Sequence, residues 1–293
     1  IPLLRDVTLS MVQRFSASRF WDQVRDCGAT QIHYLGGVLQ ILLKQPESER
    51  DRDHKVRVAW GGGCPRDIWR AFEERFGTPL RECYGMTESS SITTFNAAGV
   101  LGSVGTPVPW LSVEILDEQG ASVAAGVHGE IVVHPRQAGA VFAGYFHNEE
   151  ATARALRPDG FHTGDLGMID ADGNLYFLGR LTDSVRVKGE NVSAFEVEHV
   201  AGSHPMVEDC ALIGVKAEVG EQEIKLFIKP KEGAAIDYPA FSDWLAHRLA
   251  PFQNPRYLAL VEDFERTPSQ RIMKHRLPAS VEGSWDRQQG TGR

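Results

Sequence analysis

Between Phe161 and Glu198 the chain reads FHTGDLGMIDADGNLYFLGRLTDSVRVKGENVSAFEVE, a run of strand-like segments interrupted by dense polar turns. His162-Thr163-Gly164-Asp165 gathers a hydroxyl, a glycine and a carboxylate in what reads as an exposed turn, and the apolar residues Leu166, Met168 and Ile169 follow at once. Asp170-Ala171-Asp172-Gly173-Asn174 predicts a hairpin turn, because Asp, Gly and Asn tolerate positive φ, and Leu175 to Leu178 is the return strand. Gly179-Arg180 ends it. Leu181-Thr182-Asp183-Ser184 has no apolar period, so a junction is expected before Val185-Arg186-Val187 opens a new strand and Lys188-Gly189-Glu190-Asn191 a new turn. Taken singly, each polar cluster reads as a β-hairpin with a solvated turn before it reads as a site.

At 293 residues the chain exceeds what one core usually supports, and a hydrophobic content of 42% can build two domains. The formal charge of −8 argues against nucleic acid as a partner, since phosphate binding needs clustered Lys and Arg. Leu35 to Leu43 is the longest largely apolar run and falls far short of the roughly 20 residues of a spanning helix. Cys27, Cys64, Cys83 and Cys210 show no C-x-x-C pairing, so no zinc site or disulfide framework is indicated and a reducing cytoplasm fits best. Ile1 is not a start methionine, and the chain reads as a fragment.

Upstream, Ser18 to Gly28 predicts a packing helix opened by a capping serine, with Phe20, Trp21, Val24 and Cys27 on one face. Ala29 to Tyr34 is a strand entering Gly36-Gly37, and a helix runs through Val38 to Leu43. His33 carries no specific signal by itself, with no carboxylate partner in view, and reads as a half-buried structural histidine before it reads as a pocket residue. Val56 to Trp60 is a strand running into Gly61-Gly62-Gly63-Cys64-Pro65, and Pro65 begins an amphipathic helix through Phe76. Strand Leu80 to Cys83 then leads into Tyr84-Gly85-Met86-Thr87-Glu88-Ser89. There an aromatic, a hydroxyl and a carboxylate sit at a strand end, where open α/β sheets bind ligands. From Gly102 onward, short strands and frequent turns predict a small distorted barrel. After the junction, segments at 194–201, 207–215, 223–229 and 238–249 read as helix, strand, strand and helix. Residues 282–293, nearly without apolar side chains, are expected to be disordered.

The ordered set YGMTE, TGD, GR and D-x-x-x-x-KGENVS-x-x-E-V-E resembles the acyl- and aryl-CoA synthetases of the adenylate-forming (AMP-binding) family, most closely the carnitine/crotonobetaine-CoA ligase branch. The similarity spans nearly everything from Val56 to Leu277. It implies an α/β fold: a partial large domain (sheet and helices at 1–100, a small distorted β-barrel at 101–180), then a small α+β lid at 181–280 and the tail at 281–293. It further implies ATP/AMP, Mg²⁺ and coenzyme A as cofactors. Gly63, Cys64 and Pro65 would face adenine, with Tyr84, Gly85 and Met86 also lining the nucleotide. Thr87 would meet the α-phosphate, Glu88 would ligate Mg²⁺, and Asp165 and Arg180 would hold the ribose. Thr182 falls at the hinge, and Lys188 and Gly189 at the pantetheine tunnel. His33, Tyr34, Gly36 and Gly37 would line the acyl pocket.

Two departures stand against this pattern. The family's phosphate-gripping loop with its lysine is absent, its expected place lying before Ile1. In Arg266-Thr267-Pro268-Ser269-Gln270-Arg271-Ile272-Met273-Lys274 the usual Gly-Lys pair is Gln270-Arg271, so the catalytic cation is expected to be Arg271, with Lys274 as the alternative. The implied activity is ATP-dependent ligation of a small carboxylic or fatty acid to CoA, in the cytoplasm, with homodimerisation left open. The alternatives are a ligase that loads a carrier protein and a non-catalytic nucleotide-binding fragment or pseudoenzyme.

Overall fold

The structure, a computed structural model, describes residues 6–187, 190–216, 222–267 and 272–292. The chain forms two compact units, one of Ile1–Glu114, Val133–Phe161 and Ile169–Tyr176, the other of Ile115–Val132, His162–Met168 and Phe177–Arg293.

The first unit opens with α1 (Phe20–Asp26), preceded by a 3₁₀ turn and lacking the side-chain cap expected of Ser18. β1 (Gln31–Leu35), α2 (Val38–Leu43), β2 (Val58–Gly62), α3 (Arg66–Phe76) and β3 (Leu80–Tyr84) follow. β1, β2 and β3 lie side by side and parallel. α3 buries Trp69, Phe72 and Phe76, one helical stripe, and stops where Gly77 turns left-handed at φ 62°. Phe72 is fully enclosed, so truncating it to Ala costs about 3–5 kcal/mol. β4 (Thr94–Phe95) and β5 (Thr106–Pro107) extend the sheet antiparallel in the order β1-β2-β3-β4-β5.

Next come β6 (Leu111–Leu116), β7 (Gly129–Pro135), α4 (Glu149–Ala155), β8 (Leu156–Arg157), β9 (Gly160–Ile169) and β10 (Leu175–Arg180). They give the β-rich part that the turn spacing predicts, with strand order β10-β9-β7-β6 and β8 beside β9. The β9–β10 hairpin forms as read: Gly173 sits at φ 83°, and Asp170 Oδ1 accepts the Asp172 and Asn174 amides.

The second unit ends in β11 (Ser184–Val187), β12 (Glu190–Ser193), α5 (Ala194–Gly202), β13 (Val207–Lys216), β14 (Gln222–Pro230), α6 (Tyr238–Ala246), β15 (Tyr257–Leu260), β16 (Trp285–Asp286) and β17 (Thr291–Gly292). Its core joins Val192, Val197, Leu226, Phe241 and Leu258, all essentially inaccessible. Asp237 caps α6 by accepting the Ala240 amide at 2.8 Å. The C-terminal stretch corrects the expectation of disorder: β16 and β17 complete the order β13-β14-β15-β16-β17. Composition hid the anchors that hold it. Trp285 enters the core, the Asp286 carboxylate is buried against Arg256 at 3.4 Å, and Lys225 Nζ donates to the Ser280 carbonyl.

Candidate active site

Because β1, β2 and β3 run parallel, the loops at Gly36-Gly37, Gly63–Pro65 and Gly85–Glu88 leave the sheet at the same end. That edge is where α/β sheets bind ligands. The loop after β3 is sharply bent. A Cβ on Gly85 would lie 2.1 Å from the Ser91 carbonyl oxygen, and Ser90 and Ser91 are left-handed at φ 59° and 83°. Non-glycine residues hold such angles only where their surroundings enforce them. Here Ser90 Oγ donates to the Ala140 carbonyl, the Phe142 amide donates to the Glu88 carbonyl, and Ser89 and Thr93 share a 2.6 Å hydroxyl contact.

The loop presents Thr87 exposed, Met86 and Glu88 half-buried, and Tyr84 buried at the strand end. Tyr145, which the sequence reading did not single out, donates its phenol to Glu88 Oε1 at 2.9 Å. Glu88 and Thr87 therefore offer hard oxygen donors in a braced loop, a donor set that fits Mg²⁺ shared with phosphate oxygens.

The acyl-pocket expectation needs correction at Tyr34. Alternation along β1 turns Ile32 and Tyr34 inward, and Tyr34 is 1% exposed with its phenol donated to Glu82. It packs in the core. His33 is exposed, edge-on to Trp60 at 4.5 Å. Gly36 and Gly37 are exposed, and the Gly36 amide donates to the Gly62 carbonyl at 2.9 Å.

Glu82 is the residue the sequence reading missed. It is buried, accepts the Gly63 and Cys64 amides on Oε1 at 2.5 and 2.9 Å, and takes Tyr34 on Oε2. Burial pushes its carboxyl pKa above the usual range, against the pull of its three donors, and burial likewise pushes the Tyr34 phenol up. The signal was present: Leu80, Glu82 and Tyr84 share the inward face of one strand, where an acid demands partners.

In the second unit, Asp165 is 1% exposed and lies inside β9, which corrects the exposed turn expected of His162-Thr163-Gly164-Asp165. Gly164 supplies the bend at φ 70° within the strand. The bend is held from below: Glu130 accepts the Gly164 amide at 3.1 Å and lies 2.8 Å from His162 Nδ1, while Thr163 Oγ1 donates to the Ile131 carbonyl. Asp165 Oδ1 meets Arg180 Nε at 2.8 Å, so the two residues expected at the ribose form an ion pair. Thr182 is exposed in the 3₁₀ turn Leu181–Asp183. Lys274 Nζ pairs with Glu198 at 2.8 Å and with Asp183 at 3.4 Å, which ties it to the 3₁₀ turn Leu181–Asp183. Lys188, Gly189 and Arg271 lie outside the described residues.

Residues 1–146 match the family model of the AMP-binding enzymes and residues 196–271 that of the AMP-binding enzyme C-terminal domain. The chain is 34% identical over 282 residues to the crotonobetaine/carnitine–CoA ligase of Salmonella paratyphi B (strain ATCC BAA-1250 / SPB7), covering 92% of this chain and 53% of the relative. It superimposes on ATP-bound MatB from Rhodopseudomonas palustris with a TM-score of 0.81 at 30% identity, covering 90% of this chain and 53% of the other. For o-succinylbenzoate CoA synthetase (MenE) from Bacillus subtilis, in complex with the acyl-adenylate intermediate OSB-AMP, the TM-score is 0.80 at 26% identity, over 90% and 54% of the two chains. The chain thus spans about half the length of the relatives it matches. It belongs to the AMP-binding, adenylate-forming enzymes.

Proposed function

We propose that this chain is part of an ATP-dependent acyl-CoA ligase. A carboxylate oxygen attacks the α-phosphorus of ATP and pyrophosphate leaves, giving an acyl-adenylate. The CoA thiol, losing its proton, then attacks the acyl carbon and AMP departs. The observation that carries this reading is the braced loop in which Tyr145 holds Glu88 beside an exposed Thr87 at a parallel strand end.

In this reading the Thr87 hydroxyl donates to an α-phosphate oxygen, and its place in a rigid loop lets it act without reorganisation in the transition state. Glu88 would hold Mg²⁺, which when bound spreads the phosphate charge during transfer. Tyr145 fixes the rotamer of that carboxylate. Asp165 accepts the ribose hydroxyls while Arg180, paired with it at 2.8 Å, orients it. Gly63 to Pro65 and Tyr84 to Met86 flank adenine. Arg271 supplies the cation at the reacting carboxylate, because Lys274 is already committed to Glu198 and Asp183. Turning at Thr182 would exchange the lid between the two half-reactions, bringing Lys188 and Gly189 to the thiol.

Similarity to a ligase named for crotonobetaine and carnitine favours a short polar acid as substrate. No helix among the described residues is long and apolar enough to cross a membrane, and the proposed setting is the cytoplasm. The test supplies ATP, Mg²⁺, CoA and a panel of carboxylic acids to the chain, alone and extended at its N-terminus. AMP formation that needs both an acid and CoA supports the reading. AMP formation that needs the acid and a phosphopantetheinyl carrier in place of CoA redirects it to carrier loading. Acid-independent hydrolysis of ATP to ADP contradicts both.

A further inference from the structure

A concavity of about 450 Å³ opens at the foot of β3, lined by Glu73 of α3, the Gly77–Pro79 connection, Arg81 and the Ala98-Gly99 turn. All of these residues belong to the first unit. The walls are fixed by contacts of their own. Asn96, 1% exposed, braces the turn: its side-chain amide donates to the Val100 and Ser103 carbonyls at 2.7 and 2.8 Å, and its Oδ1 accepts the Val100 amide at 2.9 Å. Gly99 is left-handed at φ 68°, and a Cβ there would lie 2.7 Å from Arg81 Nη1. The missing side chain is the notch that admits the guanidinium. Glu73 is held as well, its Oε1 accepting the Leu80 amide at 2.8 Å.

Two opposite charges line this cavity without meeting. Among the described residues, Arg81 spends one of its five N–H groups on the Leu80 carbonyl, at 2.6 Å, and pairs with no carboxylate. Glu73 Oε2 accepts nothing, its partner Leu80 being on the other oxygen. The remaining polar groups at the rim are already committed: Thr78 Oγ1 donates to the Phe76 carbonyl, and Arg52, beside Gly77, donates to the Glu74 and Arg75 carbonyls. A simple anion drawn to Arg81 meets the Glu73 carboxylate, and a simple cation drawn to Glu73 meets Arg81. Only a ligand that carries both charges is favoured by both walls.

We propose that this concavity binds a small zwitterion of the amino-acid type, its carboxylate on the Arg81 fork and its ammonium on the free oxygen of Glu73. The site is distinct from the candidate active site. Leu80 and Tyr84 stand at opposite ends of β3, about 13 Å apart along the strand, and the Gly85–Glu88 loop leaves from the Tyr84 end. The proposal is independent of the ligase reading, and its test needs no turnover.

The test titrates glycine, β-alanine and 4-aminobutyrate into the full 293-residue chain, with acetate and butylamine as single-charge controls, and follows the amides around Gly77–Arg81 and Gly99 by NMR. At least one amino acid should bind with a Kd of about 1 mM, and about tenfold more tightly than either control, the scale of one charged hydrogen bond at a partly exposed site. Arg81→Met and Glu73→Gln should each weaken it about tenfold. Glutamine keeps an oxygen for the Leu80 amide, so Glu73→Gln removes the charge and leaves the wall in place; should Arg81→Met fail to fold, Arg81→Lys replaces it and should weaken binding severalfold by losing the fork. Acetate or butylamine binding as tightly as the amino acids overturns the proposal in favour of a single-charge site. Shifts confined to the Gly85–Glu88 loop, no shift with any of the three amino acids, or an affinity unchanged in either folded variant overturns it outright.

Discussion

Replacing Lys274 by Met separates a strut from a catalyst. Methionine keeps most of the aliphatic stem and removes the ammonium, leaving Glu198 with the Leu212 amide, which donates to its Oε1 at 2.6 Å, but without its cation. Breaking a fully buried ion pair costs about 3–5 kcal/mol. Here the two side chains are 22% and 20% exposed, so solvent takes up part of the loss and about 1–3 kcal/mol is expected. The pH dependence follows from Glu198. Burial raises its pKa above the ordinary 4.5, and Lys274 pulls it back down. A raised acid favours the fold fully below its unfolded pKa, and that contribution is lost as pH rises through the folded value. Without Lys274 the folded pKa climbs further, so the penalty of the variant is largest at neutral pH and shrinks as pH falls toward 4.5. Amide exchange across α5 and β13 reads this locally, without mixing in the unfolding of the first unit. Lys274→Met together with Glu198→Gln should recover most of the loss, since an ion pair replaced on both sides is nearly neutral. A destabilisation below about 0.5 kcal/mol at pH 7, or strict additivity of the two changes, would refute the strut.

If Arg271 rather than Lys274 serves adenylation, Arg271→Ala should cut acyl-adenylate formation by orders of magnitude and leave thioester formation from preformed acyl-adenylate nearly intact; single-turnover assays of both half-reactions check it. Thr182→Pro should stall one half-reaction while sparing the other, because a fixed φ blocks rotation at the hinge, and equal loss of both would point to misfolding. Burial and the neighbouring Glu82 push the Cys83 thiol up to about 11, so at pH 8 roughly one molecule in a thousand carries the thiolate. Iodoacetamide mapping at that pH should find exposed Cys27 labelled and Cys83 spared.

Much of the architecture was legible because its signals are local. The stripe of Trp69, Phe72 and Phe76 and the Asp-Gly-Asn turn between β9 and β10 each state their structure within a few residues. What escaped depends on partners far away in the chain. Asp165 sits in a run of polar residues that looks solvated, yet Arg180 and the strand around it bury the carboxylate. Glu82 was passed over because a single acid in a strand names no partner, and its donors come from β1 and from the end of β2. Tyr145 lies 57 residues from the Glu88 it holds. The C-terminal residues look like a solvated tail until Arg256 and the core pocket of Trp285 are known.

Carboxylate-dependent exchange of labelled pyrophosphate into ATP, measured for the N-terminally extended chain in wild type and in Asp165→Ala, addresses the adenylation reading most directly. Two charge-assisted bonds to the ribose are worth about 1.5–3 kcal/mol each, so at limiting ATP the exchange should fall by about a hundredfold or more while the fold stays intact. Exchange that needs the acid and collapses in Asp165→Ala is the predicted result. Exchange that proceeds without an acid, or that is indifferent to the loss of Asp165 in a folded protein, would contradict it.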